Sequence, residues 1–211
     1  MRTQLKLPHR YFLAVARFTE KKNLSGLIDA YSDLPASSPD LVMIGDGPLK
    51  AELQKQIADL MLTDRVHLPG PIGYADLPVY YGLATAFIHA STTEQWGLVV
   101  NEAMAAGIPI AVSDRCGCAE DLVKKGINGQ TFSPNQRSEI TAALKWLASL
   151  NADELQTAGK TSAQIVDQWS PKKFAEGLIH ATAAAKKTGP AHISLIDQAL
   201  VKLLMRRQEQ A

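Results

Sequence analysis

The feature that most constrains the fold is a regular alternation of short apolar runs and amphipathic segments between residues 11 and 133. The apolar runs have the length of buried strands, and the segments between them repeat apolar residues at helical spacing. The predicted strands cover residues 11–16, 41–44, 66–68, 86–89, 108–112 and 130–132. Strands that alternate with helices predict an α/β fold, a single doubly wound parallel-sheet, Rossmann-like domain, with further helical patterns after residue 138.

The loops that follow the predicted strands are the places to look for a ligand site. In an open parallel sheet, ligands bind in the crevice beyond the carboxyl ends of the strands. The loop after the first strand is basic and contains Arg17 and Lys22, and Asn23 is predicted to cap the helix that follows. Cationic side chains that project into such a crevice favour an anionic ligand.

Residues 86–107 combine a predicted strand, a polar turn and the start of a helix near Gly97. Glu94 lies in the turn and Glu102 on the second turn of the helix, so both carboxylates can face a ligand above the helix N-terminus. Backbone N–H groups of the first helical turn have no partner within the helix, and with the helix dipole they favour an anion by roughly 0.3–1 kcal/mol. They belong to Leu98, Val99 and Val100. This segment therefore predicts a site for an anionic ligand flanked by hydroxyl groups.

The spacing of Glu94 and Glu102, with Gly97 between them, is followed by Ala-Met-Ala-Ala-Gly-Ile-Pro at residues 103–109. This arrangement resembles the signature of family 4 of the GT-B glycosyltransferases, the retaining group that uses nucleotide-sugar donors. The Gly-Asp-Gly-Pro turn after the second strand resembles the same family, and the resemblance spans residues 11–184. It implies that the chain is the C-terminal, donor-binding half of a GT-B enzyme that transfers a hexose with retention of configuration.

The resemblance also implies a role for each site residue. Arg17 and Lys22 are expected to hold the donor diphosphate as catalytic cations. Glu94 is expected to accept hydrogen bonds from sugar hydroxyls near the scissile bond, and Glu102 from the ribose hydroxyls. The remaining donor contacts are expected at Gly45 and Gly47 after the second strand, at Leu68 and Gly70 beside the base, at Gly97, Leu98 and Val99 in the helix N-terminus, and at Gly117 near the sugar.

Composition and missing motifs exclude several other function classes. The formal net charge is +1, so no overall field favours a nucleic-acid partner. The sequence contains no P-loop motif and no Gly-x-Gly-x-x-Gly at the first helix, which argues against the common nucleotide-binding fingerprints. No Asp-x-Asp pair is present either, so we expect no metal and no other cofactor, with cations and a helix N-terminus neutralising the leaving diphosphate.

Two features near the predicted site have plainer interpretations. His89 stands where members of the family usually carry an apolar residue, and a lone histidine at a strand end is more often structural than catalytic. Tyr80 and Tyr81 fall in the predicted helix 75–83. We interpret both as packing residues, because no polar partner for either is visible in the sequence.

The chain is expected to comprise a nucleotide-sugar-binding domain, residues 1–187, and an amphipathic helical tail, residues 188–211. The few residues before position 11 cannot form another Rossmann-like domain, so the N-terminal acceptor domain is expected to be a separate partner or absent. No apolar run is long enough to span a membrane, and we expect a cytoplasmic protein. Its tail is expected to rest on its own domain, on a partner or on the inner face of a membrane. By family habit the acceptor is a polysaccharide or a lipid-linked glycan.

Two alternatives to a working transferase remain open. The chain can be a binding module that holds a nucleotide sugar without turnover, because closure that excludes water from a donor needs two domains. It can also be an interaction subunit, for example of a split glycosyltransferase, that recruits its partner through residues 190–211. Turnover by the chain alone contradicts the first alternative, and unchanged assembly after removal of the tail contradicts the second.

Overall fold

A computed structural model describes residues 5–188 of the 211-residue chain. Within them, six parallel strands form one sheet: β1 Tyr11–Val15, β2 Asp40–Ile44, β3 Val66–Gly70, β4 Ala86–His89, β5 Ile110–Ser113 and β6 Gly129–Phe132. The α-helices of this part are α1 Leu24–Ser32, α2 Lys50–Asp59, α3 Leu77–Leu83, α4 Leu98–Ala105, α5 Ala119–Leu122, α6 Arg137–Ser149, α7 Ala152–Asp167 and α8 Pro171–Thr188. The predicted α/β fold class is confirmed.

The strand order, β3-β2-β1-β4-β5-β6, determines where a site can lie. From β1 the chain builds outward to β2 and β3, then returns to add β4, β5 and β6 on the other side. The direction of the winding therefore reverses between β1 and β4, whose pairing joins Phe12 to Ala86 and Leu13 to Phe87. Such a reversal opens a crevice at the carboxyl ends of the two strands, where doubly wound sheets bind ligands.

Helices cover both faces of the sheet because the central strands bury side chains on both faces. Along β1, Phe12 packs into one hydrophobic cluster and Leu13 into the other. Both side chains are fully buried, which explains why this strand reads as a continuous apolar run in the sequence. Residues up to Gln168 form one compact unit that contains the whole sheet, and α8 belongs to a second unit that begins at Trp169.

The predicted cap at Asn23 is wrong. Asn23 does precede α1, but its backbone is left-handed, with φ of 51°, and its side chain makes no capping hydrogen bond. Instead, Nδ2 of Asn23 donates to the carbonyl oxygen of Pro134 at 2.8 Å. The side chain of Asn23 therefore makes a long-range hydrogen bond to Pro134 and not the helix cap that the local sequence pattern predicts.

The predicted tail, residues 188–211, lies almost wholly outside the described residues, so the domain boundary at residue 187 stays a prediction. In the part of the chain that is described, no helix combines the length and the apolar character needed to span a membrane.

Candidate functional site

Lys22 and Glu94 meet at the crevice between β1 and β4. Lys22 ends the short 3-10 turn after β1, Glu94 lies in the loop after β4, and the Lys22 ammonium donates a hydrogen bond to Oε2 of Glu94. Their side chains are only 16% and 18% exposed. Burial alone raises the pKa of Glu94, but the hydrogen bond and the charge of Lys22 outweigh burial and lower it. Glu94 is therefore an ionised carboxylate at neutral pH, joined to a cation across the crevice.

Backbone hydrogen bonds join the loops that surround this pair. The N–H of Thr92 donates to the carbonyl of Lys21 at 2.8 Å, which connects the loop after β4 to the loop after β1. The N–H of Glu94 donates to the carbonyl of Arg115, and its own carbonyl accepts from the N–H of Gly117 at 3.0 Å. The backbone of Glu94 is thus fixed from two sides, which restricts where its carboxylate can point.

Gly117 is a glycine because the chain passes very close to it. An alanine Cβ at this position would lie 2.0 Å from the carbonyl oxygen of Gln95, a backbone atom next to Glu94. We expect Gly117→Ala to lower the free energy of unfolding by about 2 kcal/mol, because the loop that carries Glu94 must shift. Denaturant unfolding measures the change.

The control for Gly117→Ala is Gly177→Ala in α8, where an added Cβ meets nothing within 4 Å. At an open helical position alanine is favoured over glycine by about 1 kcal/mol, so this variant should be as stable as the parent or more so. Equal stability of the parent and the Gly117→Ala variant would contradict the close approach.

The loops after β1 and β2 also lie against each other, and the turn after β2 requires glycine. Gly45 has φ of 141°, and a Cβ there would lie 1.9 Å from the carbonyl oxygen of Ala16. A Cβ on Gly47 would lie 2.5 Å from the carbonyl oxygen of Phe18. The N–H of Gly45 donates to the carbonyl of Gly70 at 3.1 Å, which connects the end of β3 to the same edge. The structure therefore brings these predicted donor contacts to the rim of the crevice.

The N-terminus of α4 faces the same loops. Gly97, with φ of 103°, precedes the helix, and a side chain there would contact Cγ of Glu94 at 3.5 Å. The N–H of Val100 donates to the carbonyl of Gly97 at 2.8 Å, so the expectation of a free N–H at Val100 is wrong. Within residues 5–188, the N–H groups of Leu98 and Val99 make no recorded hydrogen bond, and Leu98 is exposed.

Within residues 5–188, Arg17 and Leu68 make no hydrogen bond or ion pair with Lys22 or Glu94. Arg17 is exposed in the loop after β1, and its side chain makes no ion pair with any residue that the structure describes. Leu68 is partly buried on β3, at the edge of the sheet. The roles given to all these residues stay predictions.

Glu102 is held by Tyr81, a contact that sequence reasoning missed. The hydroxyl of Tyr81 donates to Oε2 of Glu102 at 2.8 Å. Burial, and then the carboxylate of Glu102, raise the pKa of Tyr81, so the phenol stays protonated and acts as the donor. Beside the pair lies a largely apolar groove of about 380 Å³ between α3 and α4, lined in part by Tyr74, Leu77 and Ala105.

His89 is a second residue whose contacts the sequence did not reveal, although its place at the end of a strand was predicted. It ends β4, is only 3% exposed, and places Nε2 3.1 Å from Oγ of Ser91 and 3.7 Å from Oε2 of Glu94. Burial, followed by the positive charge of Lys22, lowers the pKa of His89 to about 4. The imidazole is therefore neutral near pH 7, although it lies next to an ion pair.

Comparison with known proteins identifies the family. Residues 2–166 match the family described as glycosyl transferases group 1. The chain is 33% identical over 193 residues to an alpha-monoglucosyldiacylglycerol synthase from Acholeplasma laidlawii, which covers 90% of this chain and 45% of that relative. The chain thus spans about half the length of the relative that it matches.

Solved structures show the same fold. Anabaena HepE in complex with UDP superimposes with a TM-score of 0.77 at 24% identity, over 87% of this chain and 51% of that one. At this identity the likeness shows the fold alone. A sucrose-phosphate synthase from Thermosynechococcus elongatus superimposes with a TM-score of 0.74 at 27% identity, over 87% of this chain and 49% of that one.

Proposed function

The chain belongs to the group 1 glycosyl transferases, and from this membership we propose that it is the donor-binding half of a retaining hexosyltransferase. It binds a nucleotide diphosphate-sugar in the crevice between β1 and β4. The observation that carries the proposal is the pairing of Lys22 with Glu94 where the winding of the sheet reverses. A cation that can bind phosphate and a carboxylate that can bind hydroxyl groups lie side by side there. A nucleotide diphosphate-sugar offers both of these partners.

The leaving diphosphate is stabilised by charges that are in place before the reaction. Lys22 and Arg17 supply positive charge from the loop after β1, and the N–H groups of Leu98 and Val99 supply donors at the N-terminus of α4. Fixed donors and cations aimed at developing negative charge lower a barrier most where water is largely excluded. These groups can neutralise the diphosphate without a metal, so metal independence is part of the proposal.

In the free chain, Lys22 and Glu94 satisfy each other's charge. A bound donor gives each of them a new partner: phosphate oxygens for the ammonium of Lys22, and sugar hydroxyls for the carboxylate of Glu94. An ammonium has three N–H donors and a carboxylate has two oxygens, so both can take the donor without releasing each other completely. The ion pair therefore keeps an empty site ordered.

Glu102 holds the ribose in this proposal. Tyr81 occupies one of its oxygens, and within the described residues the other oxygen accepts no recorded hydrogen bond. That oxygen is suited to a ribose hydroxyl, and the apolar groove beside it offers a surface for part of the nucleoside. Leu68 and Gly70 remain the proposed backbone contacts of the base, and Gly117 that of the sugar.

The acceptor belongs to a second domain or subunit in this proposal. The Acholeplasma relative is named for a glucosylated diacylglycerol, which supports a hexose as the transferred group and a lipid as one kind of acceptor. The proposed acceptor is a polysaccharide or a lipid-linked glycan. Such an acceptor agrees with a cytoplasmic enzyme at the inner face of a membrane.

Calorimetric titration of the chain with UDP, GDP and their hexose conjugates tests the donor site. We expect one of the two nucleotide series to bind, and Glu102→Ala to weaken that binding about tenfold, since a charged hydrogen-bond acceptor is lost. The matched control is Glu52→Ala, which removes an exposed carboxylate from α2. No binding to a folded chain, or equal affinities for the parent and Glu102→Ala, would contradict the proposal.

A further inference from the structure

His89 lies against the same oxygen of Glu94 that Lys22 contacts. Its Nε2 is 3.7 Å from Oε2 of Glu94, while the ammonium of Lys22 donates to that oxygen. Nε2 is also 3.1 Å from Oγ of Ser91, and both His89 and Ser91 are buried. The carboxylate therefore has a charged partner from the loop after β1 and an imidazole from the interior of the protein.

The geometry favours one tautomer of the imidazole. With the proton on Nδ1, Nε2 could accept from the hydroxyl of Ser91, but its lone pair would also face the ionised carboxylate of Glu94, which is repulsive. With the proton on Nε2, the N–H donates to Oγ of Ser91 and carries its positive end toward Glu94. Closing the gap between Nε2 and Oε2 to hydrogen-bonding distance needs a movement of only about 0.7 Å.

The ring of His89 is held in place by a stack of aromatic rings. It lies on Phe87 with ring centroids 6.3 Å apart and planes 13° from parallel. Phe87 in turn contacts Tyr81, with centroids 5.7 Å apart, and Tyr81 donates to Glu102. Because its rotation is restricted in this way, the imidazole can hold a neighbouring group at little further cost in entropy.

Glu94 needs such a group once a donor is bound. The diphosphate oxygens of the proposed donor compete for the N–H donors of Lys22. The hydrogen bond from Lys22 to Oε2 of Glu94 is therefore weakened, although Glu94 is largely buried. We propose that His89 is a positioning residue for Glu94: its Nε2–H turns from Oγ of Ser91 to Oε2 of Glu94 and keeps the other carboxylate oxygen directed at the sugar. This inference rests on the proposed donor site.

The charges around His89 are consistent with this role. The charged groups that face it are Lys22, from the turn after β1, and Glu94, from the loop after β4. Because burial and Lys22 lower the pKa of His89 to about 4, the ring donates near pH 7 as a neutral group. It therefore orients the carboxylate of Glu94 without cancelling the negative charge that holds the sugar hydroxyls.

His89→Leu and His89→Gln test the role as a pair. Leucine fills the site without a donor, whereas the amide of glutamine places an N–H close to the position of Nε2. The quantity to measure is the ratio of the Kd for a nucleoside diphosphate to the Kd for its sugar conjugate, with UDP and UDP-glucose or with GDP and GDP-mannose. We expect the ratio to fall about tenfold in His89→Leu and to stay within about threefold of the parent in His89→Gln.

In the positioning role, the affinity for the nucleoside diphosphate alone should stay within about twofold in both variants, because His89 acts through Glu94 and Glu94 contacts only the sugar. A merely structural role would instead weaken the binding of both ligands. Equal losses for the nucleoside diphosphate and its sugar conjugate would overturn the positioning role. So would an unchanged ratio in His89→Leu, and so would an unchanged ratio in Glu94→Ala, because the role of His89 acts through Glu94.

Failure of the donor site itself is recognisable in the parent protein. If the parent binds no nucleotide, the proposed function fails and the role of His89 with it. If the parent binds the nucleoside diphosphate and its sugar conjugate equally, the donor site stands and only the role of His89 is overturned. Should His89→Leu not fold, nuclear magnetic resonance of the parent replaces it. A downfield shift of the Nε2-bound proton on addition of the nucleotide sugar supports the new bond to Glu94, and an unchanged signal overturns it.

Discussion

Replacement of Lys22 by alanine is expected to lower the affinity of the chain for its nucleoside diphosphate about 100-fold, which corresponds to about 2.7 kcal/mol. Lys22 is the cation that the structure fixes in the crevice, with a side chain only 16% exposed. Truncating one partner of a largely buried, hydrogen-bonded charge pair costs about 2–5 kcal/mol, partly because the other charge is left unpaired. Here the losses are the contact with the diphosphate and the counter-charge of Glu94. Calorimetric titration measures the change.

The matched control for Lys22→Ala is Lys55→Ala. Lys55 is a solvent-exposed lysine that pairs with Asp59 on α2, so its removal should leave the affinity unchanged. Without Lys22, burial raises the pKa of Glu94, so the affinity of Lys22→Ala for the sugar conjugate should fall further as the pH is lowered. Equal affinities of Lys22→Ala and Lys55→Ala would show that the phosphate does not bind at this crevice.

His89 is expected to make the folded chain about 3 kcal/mol less stable at pH 4 than at pH 7. Its pKa is about 4 in the folded chain and has the ordinary value of 6.5 in the unfolded chain. Between these values the unfolded chain binds a proton that the folded chain does not, so stability is complete above pH 6.5 and is lost as the pH falls toward 4. Urea unfolding at a series of pH values measures the loss.

His89→Leu isolates this contribution because leucine does not titrate. Its stability should change little between pH 6.5 and 4.5, whereas the parent should lose most of the stability attributed to His89. Glu94, whose pKa is lowered, contributes in the same direction, but only below the ordinary pKa of a glutamate. His180→Leu, at an exposed position on α8, is the control. Parallel curves for the parent and His89→Leu would contradict a neutral, buried imidazole.

The architecture could be predicted from the sequence because its determinants are local. The four inner strands of the sheet are short, mostly apolar runs, whereas the edge strands β3 and β6 are less apolar, and each helix begins or ends near a glycine, proline or polar residue. The alternation of the two fixes a doubly wound sheet, since parallel strands need helical crossovers. The positions of Lys22 and Glu94 followed from the same logic, because the carboxyl ends of all six strands lie at one edge.

The contacts between side chains could not be predicted in the same way. Tyr81 and Glu102 lie on different helices, 21 residues apart, and their hydrogen bond depends on how α3 packs against α4. Phe87 and His89 lie on the same face of β4, and this face places His89 near Glu94. The sequence does not tell which face of β4 packs against α4. At Asn23 a contact that the sequence predicted is replaced by one that it did not predict. Its side chain donates to a carbonyl 111 residues away and does not cap the helix.

The most direct test of the donor site is to observe where a nucleotide binds. Amide resonances of the ¹⁵N-labelled chain, recorded during titration with UDP and GDP, report every contact with the ligand. We predict saturable shifts that are largest for the amides of Lys22, Gly97 and Leu98, with the amides of α2 unchanged. Saturable binding whose largest shifts lie outside the crevice between β1 and β4 would contradict this prediction.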